Sequence, residues 1–129
     1  MPSFSPRSLA NLDTCHEDLQ QVFISVVQRF DCTVLCGHRG EEAQNEAHRT
    51  GKSQLKYPQG NHNKFPSSAV DVAPYPIDWE NRERFVYFGG YVLGVAANMD
   101  IGLRWGGDWS MDHDLTDQTF HDLPHFELV

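Results

Sequence analysis

The chain has 129 residues, 40% of them hydrophobic, enough for one compact core and too few for two ordinary domains. Its formal net charge of -8, from 18 acidic and 10 basic residues, argues against nucleic acid or any other partner held through phosphates. No apolar run approaches the roughly 18 residues that span a bilayer, and the opening MPSFSPRSLANLD lacks the apolar centre of an export signal, so a chain made in the cytoplasm without membrane insertion is expected.

Residues 1–11 are expected to be a less ordered lead-in. From Leu12 the apolar positions Leu12, Cys15, Leu19, Val22, Phe23, Val26, Val27 and Phe30 recur at helical steps, predicting one amphipathic helix capped by Ser8 or Asp13. CTVLCG reads as a short buried strand ending at Gly37, and EEAQNEAHRTG as a second helix with acidic residues in its first turn and Gly51 just past its end. Lys52 to Pro66 is a polar, proline-interrupted loop, followed by the strand AVDVA, which Pro74 and Pro76 end.

A long helix is predicted over WENRERFVYFGGYVLGVAANM, weakened by Gly89, Gly90 and Gly94 unless those glycines admit close packing against a sheet. IGLRW is a strand, GGDWSMDHDLTDQ a polar, solvated loop, and HFELV a terminal strand. Strands cluster in the second half, and the late connections are too short for helical crossovers. The expectation is therefore α+β: one domain over 1–129, with a small, mostly antiparallel sheet and flanking helices.

The odd feature is Asp71, set between Val70 and Val72 in an apolar strand. A carboxylate there is costly unless a cation or several donors meet it. Arg39 or Arg104 is one class of partner; a metal ion is the other. Of the seven histidines, His62 lies in the loop leading to Asp71 and His125 opens the last strand. If that strand pairs beside AVDVA, His62, Asp71 and His125 converge. Two imidazoles and a carboxylate, with a fourth position left to water, are the ligand set of a catalytic zinc.

Hydrolysis at such a centre also needs a general base, and Asp122, three residues before His125, can reach it, although DLP equally reads as a turn. Arg39, just after the first strand, is suited to a carbonyl oxygen or a substrate carboxylate. Cys15, Cys32 and Cys36 form no C-x-x-C pair and read as small buried hydrophobes in a reducing compartment.

Taken in order, GHRGEEAQ, GKSQLKYP, HNKFPSSAVDVAPYPIDW, RFVYFGGYVLGVAANMDIGLRWGGDW and DLPHFEL resemble the phage-type L-alanyl-D-glutamate endopeptidases, zinc peptidases grouped with the D-alanyl-D-alanine carboxypeptidases and sharing a fold with the hedgehog signalling domain. The resemblance runs from about Leu12 to Val129. It implies zinc on His62, Asp71 and His125, Asp122 as catalytic base and Arg39 at the substrate. The implied activity is cleavage of the L-alanyl-D-glutamate bond in the peptidoglycan stem peptide by a monomeric endolysin, which reaches the wall after the membrane is permeabilised. A D-alanyl-D-alanine carboxypeptidase and a non-catalytic zinc-stabilised binding module are the alternatives. Three departures stand out: nine residues rather than the commoner seven from His62 to Asp71, Gly60 where a serine is usual, and Gly40 where threonine or serine is usual.

Overall fold

The amphipathic stretch expected as a single helix is two helices in the computed structural model, which describes residues 2–129. Helix α1 spans Pro6–Asp13 and α2 spans Glu17–Val27. Neither Ser8 nor Asp13 is a cap. The Ser5 hydroxyl accepts from the Ser8 amide, and Pro6 fills the first helical position, where its missing N–H is no loss. Residues 1–11 are thus tied down over their second half, because buried Ser8 accepts from the Val34 amide and anchors α1 to the first strand.

His16 ends the first run and starts the second: its Nδ1 accepts from the Asp18 amide and caps α2. The break also exposes backbone for use elsewhere, since the His16 amide donates to the Ser67 carbonyl and the Ser67 amide to that of Thr14. Despite the break the apolar face stays continuous, with Leu12, Cys15, Leu19, Val22, Phe23 and Val26 all buried.

Four strands follow: β1 (Cys32–Cys36), β2 (Ala69–Pro74), β3 (Leu103–Trp105) and β4 (His125–Leu128). They form one antiparallel sheet in the order β1-β2-β4-β3, so the last strand of the chain lies in its interior. Helix α3 (Glu41–Arg49) follows β1, and α4 (Arg82–Asn98) connects β2 to β3. The α+β expectation holds.

Strand alternation divides the sheet into two faces. Val34, Val70, Val72, Trp105 and Phe126 belong to the core with α2 and α4, where Phe126 meets Phe23 and Phe88 edge-on at ring separations of 5.4 and 6.1 Å. Burying each valine stabilises the fold by about 1.5–3 kcal/mol, which holds β2 in register. Of the three helical glycines only Gly89 is needed for packing: a Cβ there would sit 2.3 Å from Trp105, whereas Gly90 and Gly94 face open space.

Candidate metal centre

The two valines of β2 point into the core, so Asp71 between them must face the other way. In the strand register it lies opposite Cys36 on β1 and opposite His125 on β4. One row across three strands therefore carries a thiol, a carboxylate and an imidazole. His62 joins from the 3-10 turn Asn61–Asn63, held because its Nδ1–H donates to the Gly37 carbonyl at 2.7 Å and the Arg39 amide donates to the His62 carbonyl.

Three donor atoms meet. His62 Nε2, His125 Nδ1 and Asp71 Oδ1 are each 3.3 Å from the other two. A tetrahedral ion with bonds of about 2.0–2.1 Å keeps its ligands about 3.3 Å apart, so the triangle has the size such an ion requires. The remote ring nitrogens are committed as well. His62 Nδ1 is bound to Gly37, and His125 Nε2 donates to Glu127 Oε1 at 2.7 Å, so the two nitrogens that face each other are the ones free to ligate.

The electrostatics keep Asp71 ionised. Burial works against a charged Asp71, but hydrogen bonds from His125 and His62 outweigh it and hold its carboxyl well below the usual range. Burial would likewise lower the two imidazoles, yet hydrogen bonding to Asp71 raises both, His62 to about 10. Those protons satisfy Asp71 in the absence of an ion, and a divalent cation would displace them.

Asp122 and Arg39 flank the triangle. The Asp122 carbonyl accepts from the His125 amide, the turn that DLP foretold, while its carboxylate comes within 3.9 Å of His125 Nδ1. Burial, then the nearby Asp71 charge, pushes the Asp122 carboxyl up to about 6. Arg39 Nη2 donates to Asp71 Oδ2 at 3.2 Å, and its Nη1 donates to Gln44 Oε1 at 3.1 Å. The ion-pair and metal readings of Asp71 are therefore compatible: one oxygen faces Arg39 and the other faces the imidazoles. Arg104 does not reach Asp71; it pairs with Glu127.

The chain matches the profile of the family described as phage L-alanyl-D-glutamate peptidase over residues 2–129. It belongs to that family. It is 32% identical over 136 aligned residues to the L-alanyl-D-glutamate peptidase of Escherichia phage T5, covering 98% of this chain and 97% of that protein. It is also similar to the crystal structure of the Serratia marcescens L-Ala D-Glu endopeptidase ChiX, with a TM-score of 0.76, 28% identity, and 99% of this chain and 91% of that chain covered.

In this member of the phage L-alanyl-D-glutamate peptidase family, three contributors escaped sequence reading. Gln44 is 1% exposed, and its amide holds Arg39 on one side and the Leu55 carbonyl on the other. It also accounts for Gly60, because a Cβ there would come within 2.9 Å of Asn63 Oδ1 and 3.1 Å of Gln44 Oε1. Glu127 orients His125, and the only sequence signal was its two-residue spacing on one strand face. Cys36, read as a buried hydrophobe, lies with His62 and Asp71 in a group whose ligand atoms all fall within 4.8 Å. Cys15 and Cys32 are buried thiols as expected. Gly40 has open space around it, so nothing there requires a glycine.

Proposed function

We propose that the chain is a zinc peptidase that hydrolyses the L-alanyl-D-glutamate bond in the stem peptide of bacterial peptidoglycan. The observation that carries this reading is the equal-sided triangle of His62, Asp71 and His125 donor atoms, whose remote nitrogens are already committed to Gly37 and Glu127. Membership of the family supports the choice of bond.

Bound zinc would supply Lewis acidity and a water that ionises near neutral pH. Asp122, with its carboxyl at about 6, is suited to take the proton of the attacking water and return it to the departing glutamyl nitrogen. The water oxygen bonds to the alanyl carbonyl carbon, the C–N bond breaks, and the proton leaves with the nitrogen. Arg39 has five N–H donors, and its contacts with Asp71 and Gln44 leave others for the scissile carbonyl oxygen. Trp109 packs beside His125 at a ring separation of 5.3 Å and shields one flank of the site.

The same reading gives the protein a role in phage lysis, reaching the wall once the inner membrane is permeabilised. Among the described residues no helix is long and apolar enough to cross a membrane.

The test is release of new amino groups from purified peptidoglycan by native protein, by chelated protein restored with zinc, and by Asp122→Ala. Loss on chelation and in the variant, with recovery on zinc, supports a metallopeptidase. Fragment masses then separate cleavage after L-alanine from removal of a terminal D-alanine. A folded, zinc-loaded native chain that releases nothing overturns the proposal.

A further inference from the structure

Two hollows meet at the proposed centre. One, of about 260 Å³, runs past His62, Trp109 and Glu127; the other, of about 910 Å³, runs past Leu35, Trp79 and Phe85. Arg39, Lys52, Phe120 and Asp122 border both. Lys52 and the proposed base thus line the same two hollows.

Lys52 is unlike the other cations around it. Arg39 is paired with Asp71, Arg104 with Glu127, and Arg49 with Glu46, which also borders the larger hollow. Lys52 makes no ion pair among the described residues. The chain has only three lysines, Lys52, Lys56 and Lys64, and all of them fall in the loop between α3 and β2, although the net charge is -8. A protein so acidic repels anions over most of its surface, and a substrate anion needs a local cation to be accepted.

The substrate supplies such an anion. In the stem peptide the D-glutamyl residue continues through its side-chain carboxyl. It keeps its α-carboxylate on the carbon that bears the scissile nitrogen. That carboxylate must be accommodated close to the cleaved bond, in a site already lined by Asp122 and Glu127.

We propose that Lys52 is a specificity-determining residue whose ammonium receives the α-carboxylate of the D-glutamyl residue on the leaving side of the cleaved bond. This rests on the L-alanyl-D-glutamate reading above. The lysine acts through charge on a flexible stem, so arginine can replace it in part and glutamate reverses its preference. Because the group is exposed, salt weakens its effect.

The experiment compares two stem peptides, one with the free α-carboxylate and one with that group amidated, for zinc-loaded native protein and for Lys52→Ala, Lys52→Arg and Lys52→Glu. Native protein is expected to favour the free acid by about tenfold in kcat/KM at low salt, and by less as salt rises. Lys52→Ala brings the ratio near one through its loss on the acid alone, Lys52→Arg retains most of the preference, and Lys52→Glu favours the amide. Equal zinc content and circular dichroism show that the variants are folded. A Lys52→Ala protein that keeps the native ratio overturns the inference, as does a native protein that cleaves both peptides equally well. A native protein that cleaves neither overturns the parent reading and this one with it.

Discussion

Glu127 accepts the Nε2–H of His125 at 2.7 Å, and its second oxygen is bound by the Arg104 guanidinium, so the imidazole that faces Asp71 is held from behind by an ion pair. This fixes which nitrogen of His125 is free to ligate. Metal affinity should therefore depend on a residue that touches no metal. Glu127→Gln, which keeps an acceptor oxygen but loses the charge, is expected to weaken zinc binding by about tenfold, and Glu127→Ala by up to about 100-fold. Competition against a chromophoric chelator measures both. Unchanged affinity in Glu127→Ala would mean that His125 is oriented by other contacts.

Asp122→Asn is expected to separate chemistry from metal binding. The substitution keeps the size of the side chain but removes the base, so turnover should fall by about 10²–10⁴-fold while close to one zinc per chain is retained. The native carboxyl, raised to about 6 by burial and the neighbouring Asp71 charge, must be ionised to act, so activity falls as pH drops through that region. A bound cation moves this limb to lower pH. The limb should be missing from the residual activity of Asp122→Asn, as read from kcat between pH 4 and 7.

The cysteines should differ in reactivity. Burial pushes the Cys15 and Cys32 thiols up to about 12, whereas Cys36 is lowered: burial opposes this, but hydrogen bonding with His62 outweighs it. Native metal-free protein at pH 8 is expected to take up an alkylating reagent on Cys36 alone, and zinc should slow that labelling. Peptide mass mapping identifies the labelled thiol. The sign for stability follows from the same shifts. Thiols held protonated in the fold ionise near 9 once unfolded, so stability is intact below pH 9 and declines as pH rises from 9 towards 12. Urea midpoints across that range check the direction.

Adjacent glycines in α4 should respond in opposite ways. Gly89→Ala drives a methyl to 2.3 Å from Trp105 and is expected to destabilise the fold by about 1–3 kcal/mol. Gly90→Ala meets nothing within 4 Å and should stabilise the helix by up to about 1 kcal/mol. Denaturant unfolding of the two variants decides the pair. A neutral Gly89→Ala would show that Trp105 can move aside.

Much of this protein was legible locally. The isolated carboxylate in AVDVA marked Asp71 as needing a cation or donors, and helical spacing located the apolar face of α2. The order of motifs along the chain was enough to identify the family before any contact was known. Local pattern was weakest where a single residue interrupts a periodic run: the apolar spacing continues through His16 without a fault, yet its side chain caps a new helix there. Other features belong to the tertiary structure alone. Inserting β4 between β2 and β3 is what sets His125 opposite Asp71, with Cys36 beyond it, and no spacing along the chain encodes that row. Gln44 and Glu127 acquire their settings in the same way, through Asn63, 19 residues from Gln44, and Arg104, 23 residues from Glu127. Side-chain period is a property of a few neighbouring residues, whereas strand order and register are decided by which distant apolar faces pack together.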